Sequence, residues 1–303
     1  MSLDTRVFQL SLPSDATVLV GSDMHIGDHD PNTARFFFDA LNRSLPGHSH
    51  LILLGDLFEA WPGDDQTDPL AIDLLGLLAT IGERGTTVFV MHGNRDFLLD
   101  VPIPAGDQTS FTALTGAQML PDPTRLSFDG EPLDGEPVGR NPVMNAEQKN
   151  KEPGLASILL MHGDSLCTDD APFQAFRAVS RQTDWQQQFL SQPLTRRMQL
   201  ARAYREESKE TVRRRLAAAG THNASANEPK SEISDVNQLA VETVMSDAGC
   251  RQLLHGHTHR PMTHDWQFQG AQRQRYVLPD WDANEPRGGF MRLTASGVQR
   301  LAW

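Results

Sequence analysis

The chain has 303 residues, 39% hydrophobic and 22% charged, the balance of an ordinary folded protein long enough for one large domain or one domain carrying an insertion. Its net charge of -12 disfavours a general nucleic-acid binder, which needs a basic surface. No run approaches the about 20 apolar residues of a membrane span, and Met1 to Pro13 lacks the basic start and apolar core of a secretory signal. A cytoplasmic protein, with room for peripheral membrane contact, is therefore expected. Cys167 and Cys250 are too few for a disulfide framework and point to a reducing compartment. Cys167 is read as a buried spectator thiol rather than a soft metal ligand.

In chain order, short apolar runs end repeatedly in polar clusters. Val18 to Val20 leads into Ser22-Asp23-Met24-His25. In extended backbone, residues two apart point to one side, so Asp23 and His25 could reach one ion, although Asp-x-His alone is weak. Asp28, His29 and Asp30 are expected to be solvated, and 33–45 has helical spacing with Phe37, Phe38 and Leu41 on its core face. Leu51-Ile52-Leu53-Leu54 reads as a buried strand that stops at Gly55 and presents Asp56. A carboxylate has two oxygens, which makes Asp56 the candidate to bridge two cations. Glu59, Asp64 and Asp65 behind it are expected to form a solvated turn, the alternative being an outer layer around the metals.

A helix is predicted over 70–81 and a strand over 87–91, followed by Asn94, Arg95 and Asp96. Asn94 offers a neutral amide oxygen to a metal, and Arg95 a planar fork of donors suited to phosphate. Between 121 and 153 periodicity disappears under Pro, Gly, Asp and Asn, which predicts an exposed loop. The strand 158–161 then delivers His162.

From 169 to 216 the pattern is helical. Phe173, Phe176, Trp185, Phe189, Met198 and Tyr204 form apolar faces, among arginines that include Arg196, Arg197, Arg202 and Arg205. Two readings stand side by side: a helical subdomain with solvated charges, or a lid with an apolar interior and a basic rim. Residues 220–230 read as a loop and 236–247 as a helix. Leu253-Leu254 leads into His255-Gly256-His257-Thr258-His259, three imidazoles at alternate positions; neutral imidazole suits Mn, Fe or Zn. His29, His48, His50, His222 and His264 carry no claim. Residues 281–289 read as a turn-rich linker, and 290–301 as a closing hairpin.

The ligand candidates are Asp23, His25, Asp56, Asn94, His162, His255 and His257, more donors than one tetrahedral zinc takes and enough for two adjacent ions. No Ser or Cys nucleophile with a base beside it stands in these motifs, so metal-activated hydrolysis of a phosphate ester or anhydride is the reaction class they imply.

The order Asp-x-His, Gly-Asp, Gly-Asn, His, Gly-His-x-His over 21–259 resembles the calcineurin-like metallophosphoesterases. That resemblance implies an α/β fold, a sandwich of two β-sheets flanked by helices. Arg95 replaces the His that commonly follows the Gly-Asn of that family, which points to a branch. The blocks at 55–65, 92–99, 161–177 and 255–261 are similar to the branch that hydrolyses UDP-2,3-diacylglucosamine in lipid A biosynthesis. That likeness implies attack at the α-phosphorus with two Mn ions, on a lipid substrate at the cytoplasmic face of the inner membrane, with no nucleic acid. It places Asp23, His25, Asp56 and His257 around one ion, and Asp56, Asn94, His162 and His255 around the other. It assigns substrate contacts to Asn94, Arg95, Asp170, His255 and, in the lid, Ser208, Val212 and Lys230. The implied division is a core over 1–166 with a loop insertion at 121–153, a lid over 167–235 and the rest of the core over 236–303. A general nucleotide phosphodiesterase would share the metal site without needing an apolar lid, and a non-catalytic scaffold would normally have lost ligands.

Overall fold

The computed structural model describes residues 7–104, 110–128, 155, 157–218 and 235–302. Five of its strands are the apolar runs that precede the polar clusters: β2 (Val18–Gly21), β3 (His50–Leu53), β4 (Thr87–Met91), β7 (Ile158–Met161) and β8 (Gln252–His255). They fall in two six-stranded sheets. One has the order β12-β11-β2-β3-β4-β5, with β5 at Gln118–Leu120, β11 at Gly289–Thr294 and β12 at Gly297–Ala302. The other has the order β1-β6-β7-β8-β10-β9, with β1 at Phe8–Ser11, β6 at Thr124–Ser127, β9 at Thr263–Phe268 and β10 at Ala271–Val277.

The strands read as unbroken apolar runs because both of their faces are covered. Val18, Val20, Ile52 and Leu54 point between the sheets, where they meet Leu126, Ile158, Leu160 and Leu254 of the opposite sheet. Leu19, Leu51, Leu53 and Val90 point outward under α1 (Pro31–Ser44) and α2 (Pro69–Glu83). Leu159, Met161 and Leu253 pack on Val241 and Met245 of α7 (Gln238–Asp247). Each such side chain, fully buried, contributes about 1.5–3 kcal/mol over an exposed one. The helices start where the chemistry predicts. Asp30 accepts from Thr33 N, and Asp68 from Leu70 N and Ala71 N, with Pro31 and Pro69 opening the first turns. Asp30 is thus a cap rather than a solvated loop residue.

One sequence expectation fails here. The 121–153 stretch is not loop from its start: Thr124–Ser127 is β6, parallel to β1 and antiparallel to β7, in the interior of a sheet. It escapes the sequence reading because its four residues, Thr-Arg-Leu-Ser, contain a single large apolar side chain, Leu126, too few to show either a run or a period. The turn-rich linker expected over 281–289 is present, and within it Asp282 and Arg287 form a β-bridge. Beyond the short α3 (Phe111–Thr115), the helices expected over 169–216 are α4 (Ala171–Ser180), α5 (Thr183–Leu190) and α6 (Leu194–Ala218). Among the described residues no helix is long and apolar enough to cross a membrane.

Candidate metal centre

The loops after β2, β3, β4, β7 and β8 converge at one edge of the two sheets. Those after β2 and β3 run side by side, with Asp23 N donating to Gly55 O (3.1 Å) and His25 N to Asp56 O (3.0 Å). Asp96 is wholly buried and accepts from Gly93 N (2.7 Å), Leu57 N (2.6 Å) and Asp56 N (3.3 Å), which locks the β3 and β4 loops together. Two glycines let backbones approach closely. A Cβ on Gly93 would sit 2.1 Å from Asp56 Oδ1, and one on Gly256 2.2 Å from Asp23 Oδ2. Among the described residues, seven other than glycine have positive φ, and five of them are Asp23, His25, Asp56, His257 and His259. Left-handed backbone at non-glycine residues costs energy and persists where surrounding structure imposes it, often at functional sites.

Two donor groups result. Asp23, His25 and His259 form one; Asp56, His162 and His257 form the other. His25 Nε2 and His259 Nε2 face each other at 3.2 Å, and His259 Nε2 lies 3.5 Å from Asp23 Oδ1. In the second group His162 Nε2 lies 3.1 Å from Asn94 Oδ1 and 3.6 Å from Asp56 Oδ1. Asp56 links the groups, because its Oδ2 is 3.9 Å from His25 Nε2. This is the geometry of a shared carboxylate. Asp56 Oδ1 is also fixed by Arg95 N (2.8 Å), and Asp23 by Ser22 Oγ (2.5 Å) and by His257 N at 3.1 and 3.0 Å.

The residues fit a pair of cations. Burial pushes the Asp56 carboxyl up to about 7, opposed by His162 and reinforced by Asp96 and Asp23, as expected where a buried carboxylate lacks a full counter-charge. Burial holds His25 well below its ordinary range and His257 down to about 3, so both are neutral, the form that binds metal. Burial acts the same way on His162, but Asp56, Asp164 and Asp23 outweigh it and raise that imidazole to about 9. His257 Nδ1 is buried with no hydrogen-bond partner among the described residues. His162 Nδ1 faces Leu54 O at 2.8 Å, leaving Nε2 to the centre.

The structure brings together Asp23, His25, Asp56, Asn94, His162 and His257, and corrects the histidine pairing. His255 is in neither group. It is still the last residue of β8, paired in register with Met161 and Val277, and its Nδ1 faces Gly256 O at 2.8 Å. His259 takes its place among the donors, and His257 stands with Asp56 and His162 rather than with Asp23 and His25. The sequence signal was the third imidazole of the run.

The solvated turn expected around Asp64 is corrected in part, since Asp65 is exposed and Asp64 is not. Asp64 is buried and accepts from Trp61 Nε1 (2.7 Å), Phe111 N (2.8 Å) and Asp100 N (3.3 Å). Asp65 pairs with Arg197, which is buried rather than part of a basic rim. Glu59 lies 3.5 Å from His25 Nδ1 and forms an ion pair with Arg205, whose Nε is 2.7 Å from Glu59 Oε1.

Beside the centre is a cavity of about 560 Å³ that shares Asn94, Arg95 and Glu59 with it and runs under α4–α6. Much of its wall is apolar, with Phe97, Phe173, Phe176, Trp185, Phe189 and Met198, and charged residues including Asp68, Arg202 and Glu206 line the rest. Asp170 lines it while its carboxylate caps α4 through Phe173 N (3.2 Å). Ser208 and Val212 fall on the distal part of α6, where side chains lie outside the described residues, as does Lys230. Cys167 is buried and stands in neither donor group.

The calcineurin-like phosphoesterase family model matches residues 16–261. A Chromohalobacter salexigens protein named UDP-2,3-diacylglucosamine hydrolase is 36% identical over 285 residues, covering 94% of this chain and 96% of its own. Proteins of the same name from Aromatoleum aromaticum and Bordetella pertussis are 37% and 38% identical, covering 91% and 92% of this chain and 92% of theirs.

Proposed function

This chain belongs to the calcineurin-like phosphoesterase family, and from that premise we propose that it hydrolyses UDP-2,3-diacylglucosamine to UMP and 2,3-diacylglucosamine 1-phosphate. The observation that carries the reading is the juxtaposition of two Asp/His donor groups, joined by Asp56, with a large apolar cavity. A diphosphate that bears two acyl chains needs both at once: a polar head site and a wall that shields hydrocarbon from water. A general nucleotide phosphodiesterase needs only the first.

Asp23, His25, His259 and one oxygen of Asp56 would hold one ion, and the other oxygen of Asp56 with Asn94, His162 and His257 the second. Mixed nitrogen and oxygen donors suit Mn among the divalent metals. Two bound divalent cations supply charge neutralisation at the phosphoryl oxygens and lower the pKa of water toward neutrality. Arg95 is placed by its own N–H on Asp56 and lines the cavity, where its guanidinium would hold the diphosphate. In the reaction a water oxygen bonds to the α-phosphorus, the bond from that phosphorus to the bridging oxygen breaks, and its electron pair leaves with the lipid phosphate. That leaving group is a weak base, so the missing His after Asn94 costs little. The helices of 167–235 would act as the lid over a core formed by 1–166 and 236–303. The working position would be the cytoplasmic face of the inner membrane, where a diacyl substrate resides, and vesicle co-sedimentation checks it.

Phosphorus NMR of turnover with Mn in oxygen-18 water tests the proposal. Label in UMP is the expected result. Label in the lipid phosphate would move the attack to the other phosphorus, and cleavage of simple nucleotide diesters without any of the lipid would overturn the substrate assignment.

A further inference from the structure

Residues 278–289 lie outside the five strand-end loops, yet they form a clamp against the donor cluster. Leu278 N donates to His255 O at 2.8 Å, and Ala283 N donates to Thr33 Oγ1 at 2.9 Å, which ties the clamp to β8 and α1. Asp282 and Arg287 exchange both backbone hydrogen bonds at 3.1 Å. Trp281 is buried between Phe37 and Phe290, with both ring centroids 5.0 Å from its own. This segment is held at both ends and through its middle.

At its base stands Asp280, 8% exposed. Arg287 grips it with two parallel bonds, Nε to Oδ1 at 2.9 Å and Nη2 to Oδ2 at 2.7 Å. Such a fork fixes the plane of the carboxylate as well as its position. Asp280 Oδ2 then faces His259 Nδ1 at 3.6 Å, within ion-pair range and longer than a hydrogen bond. The opposite nitrogen of that ring, Nε2, faces Asp23 Oδ1 and His25 Nε2. His259 therefore spans the gap between an oriented carboxylate and the donor cluster. The same motif recurs across the site, where Glu59 stands between His25 Nδ1 and the guanidinium of Arg205. An imidazole that binds metal through one nitrogen usually presents the other N–H to a carboxylate, which selects the tautomer and makes the ring a better donor.

We propose that Asp280, held by Arg287, is the positioning residue for His259 and sets the affinity of the ion shared with Asp23 and His25. This rests on the reading of His259 as a ligand of that ion. Asp280 touches neither substrate nor ion in this account; it acts only through the ring.

The test is a Mn titration of the metal-stripped protein, with free Mn followed by electron paramagnetic resonance, so that no substrate is involved. Asp280→Asn should weaken one of two bound equivalents by about 10- to 100-fold and leave the other unchanged. Asp280→Glu should restore part of that loss. Arg287→Ala should weaken the same equivalent and add nothing in the Asp280→Asn background, because both act through one ring. Should Asp280→Asn fail to fold, Arg287→Lys carries the test, since one amine cannot reproduce the fork. His259→Ala separates the two layers of the argument. If it abolishes one equivalent while Asp280→Asn binds both ions as the parent does, the positioning role is overturned and the ligand reading stands. If His259→Ala binds both ions normally, the ligand reading itself falls and the positioning role falls with it.

Discussion

Asp65→Ala should destabilise the protein through a residue 132 positions away in the chain. Arg197, in α6, is 2% exposed, and each nitrogen of its guanidinium donates to a fixed partner. Its Nε donates to Gln192 O (2.9 Å), its Nη1 to Pro62 O (2.6 Å) and Asp65 Oδ1 (2.8 Å), and its Nη2 to Asp65 Oδ2. Removing one partner of a fully buried ion pair costs about 3–5 kcal/mol, because the other charge stays behind in low dielectric. Asp65 is 42% exposed, so water already screens part of the attraction; an exposed pair is worth only about 0–1 kcal/mol. Two carbonyls also remain to hold the guanidinium. The loss should fall between those limits, at about 2 kcal/mol, and lower Tm by about 3 °C for a chain of this size. Adding Arg197→Met to Asp65→Ala removes the stranded charge, so the double variant should lose less than the two single losses combined. Urea unfolding of the four proteins gives the coupling directly. Additivity within about 0.5 kcal/mol would refute the reasoning, since the carbonyls alone would then sustain the buried arginine. Because α6 lines the cavity, Asp65→Ala should also raise KM more than it lowers kcat.

Gly93→Ala places a methyl 2.1 Å from Asp56 Oδ1 and should abolish Mn binding by the purified protein, whereas Gly76→Ala, with open space in α2, should stabilise it by about 0.5–1 kcal/mol; normal metal binding by Gly93→Ala would show that the loops give way. Burial raises the Asp64 carboxyl from its ordinary 3.8 to about 6, against the three N–H groups that favour its charged form. The folded state therefore holds that proton more tightly than the unfolded state does. As pH rises from about 4 to 6 the unfolded carboxyl ionises first, and Asp64 should subtract stability across that window, by about 3 kcal/mol in all. The stability difference between the parent and Asp64→Asn should change over the window and be flat above it, and a difference independent of pH would contradict the assignment. Burial also pushes the Cys167 thiol up to about 12 and raises that of Cys250, so iodoacetamide at pH 8 should modify neither in the folded protein and both in urea. Rapid labelling of either would mean that its pocket opens.

Much of the site was legible because it sits where apolar runs stop. A strand covered on both faces is a continuous hydrophobic signal, and the residues just past it are the ones that reach a crevice at the sheet edge. Asp23, His25, Asp56, Asn94 and His162 were all found this way, and α1, α2 and α7 lie within a few residues of their predicted spans. The helical segment over 169–216 was also legible, since its aromatic spacing predicts helices and those aromatics line the cavity.

The sequence by itself determined the fold class, the five polar clusters and the kind of chemistry they support, because each depends on residue type and local spacing. Only the tertiary structure decided which two of the three alternate histidines face the centre. Alternation predicts direction while the backbone stays extended, but His257 and His259 have φ of 66° and 54°, so their side chains turn away from the strand pattern that His255 still follows. The same holds for Asp64, Arg197 and Asp280. Nothing local distinguishes a solvated charge from a buried one; the partner that makes burial tolerable comes from another part of the chain, and it is found only once the chain has folded.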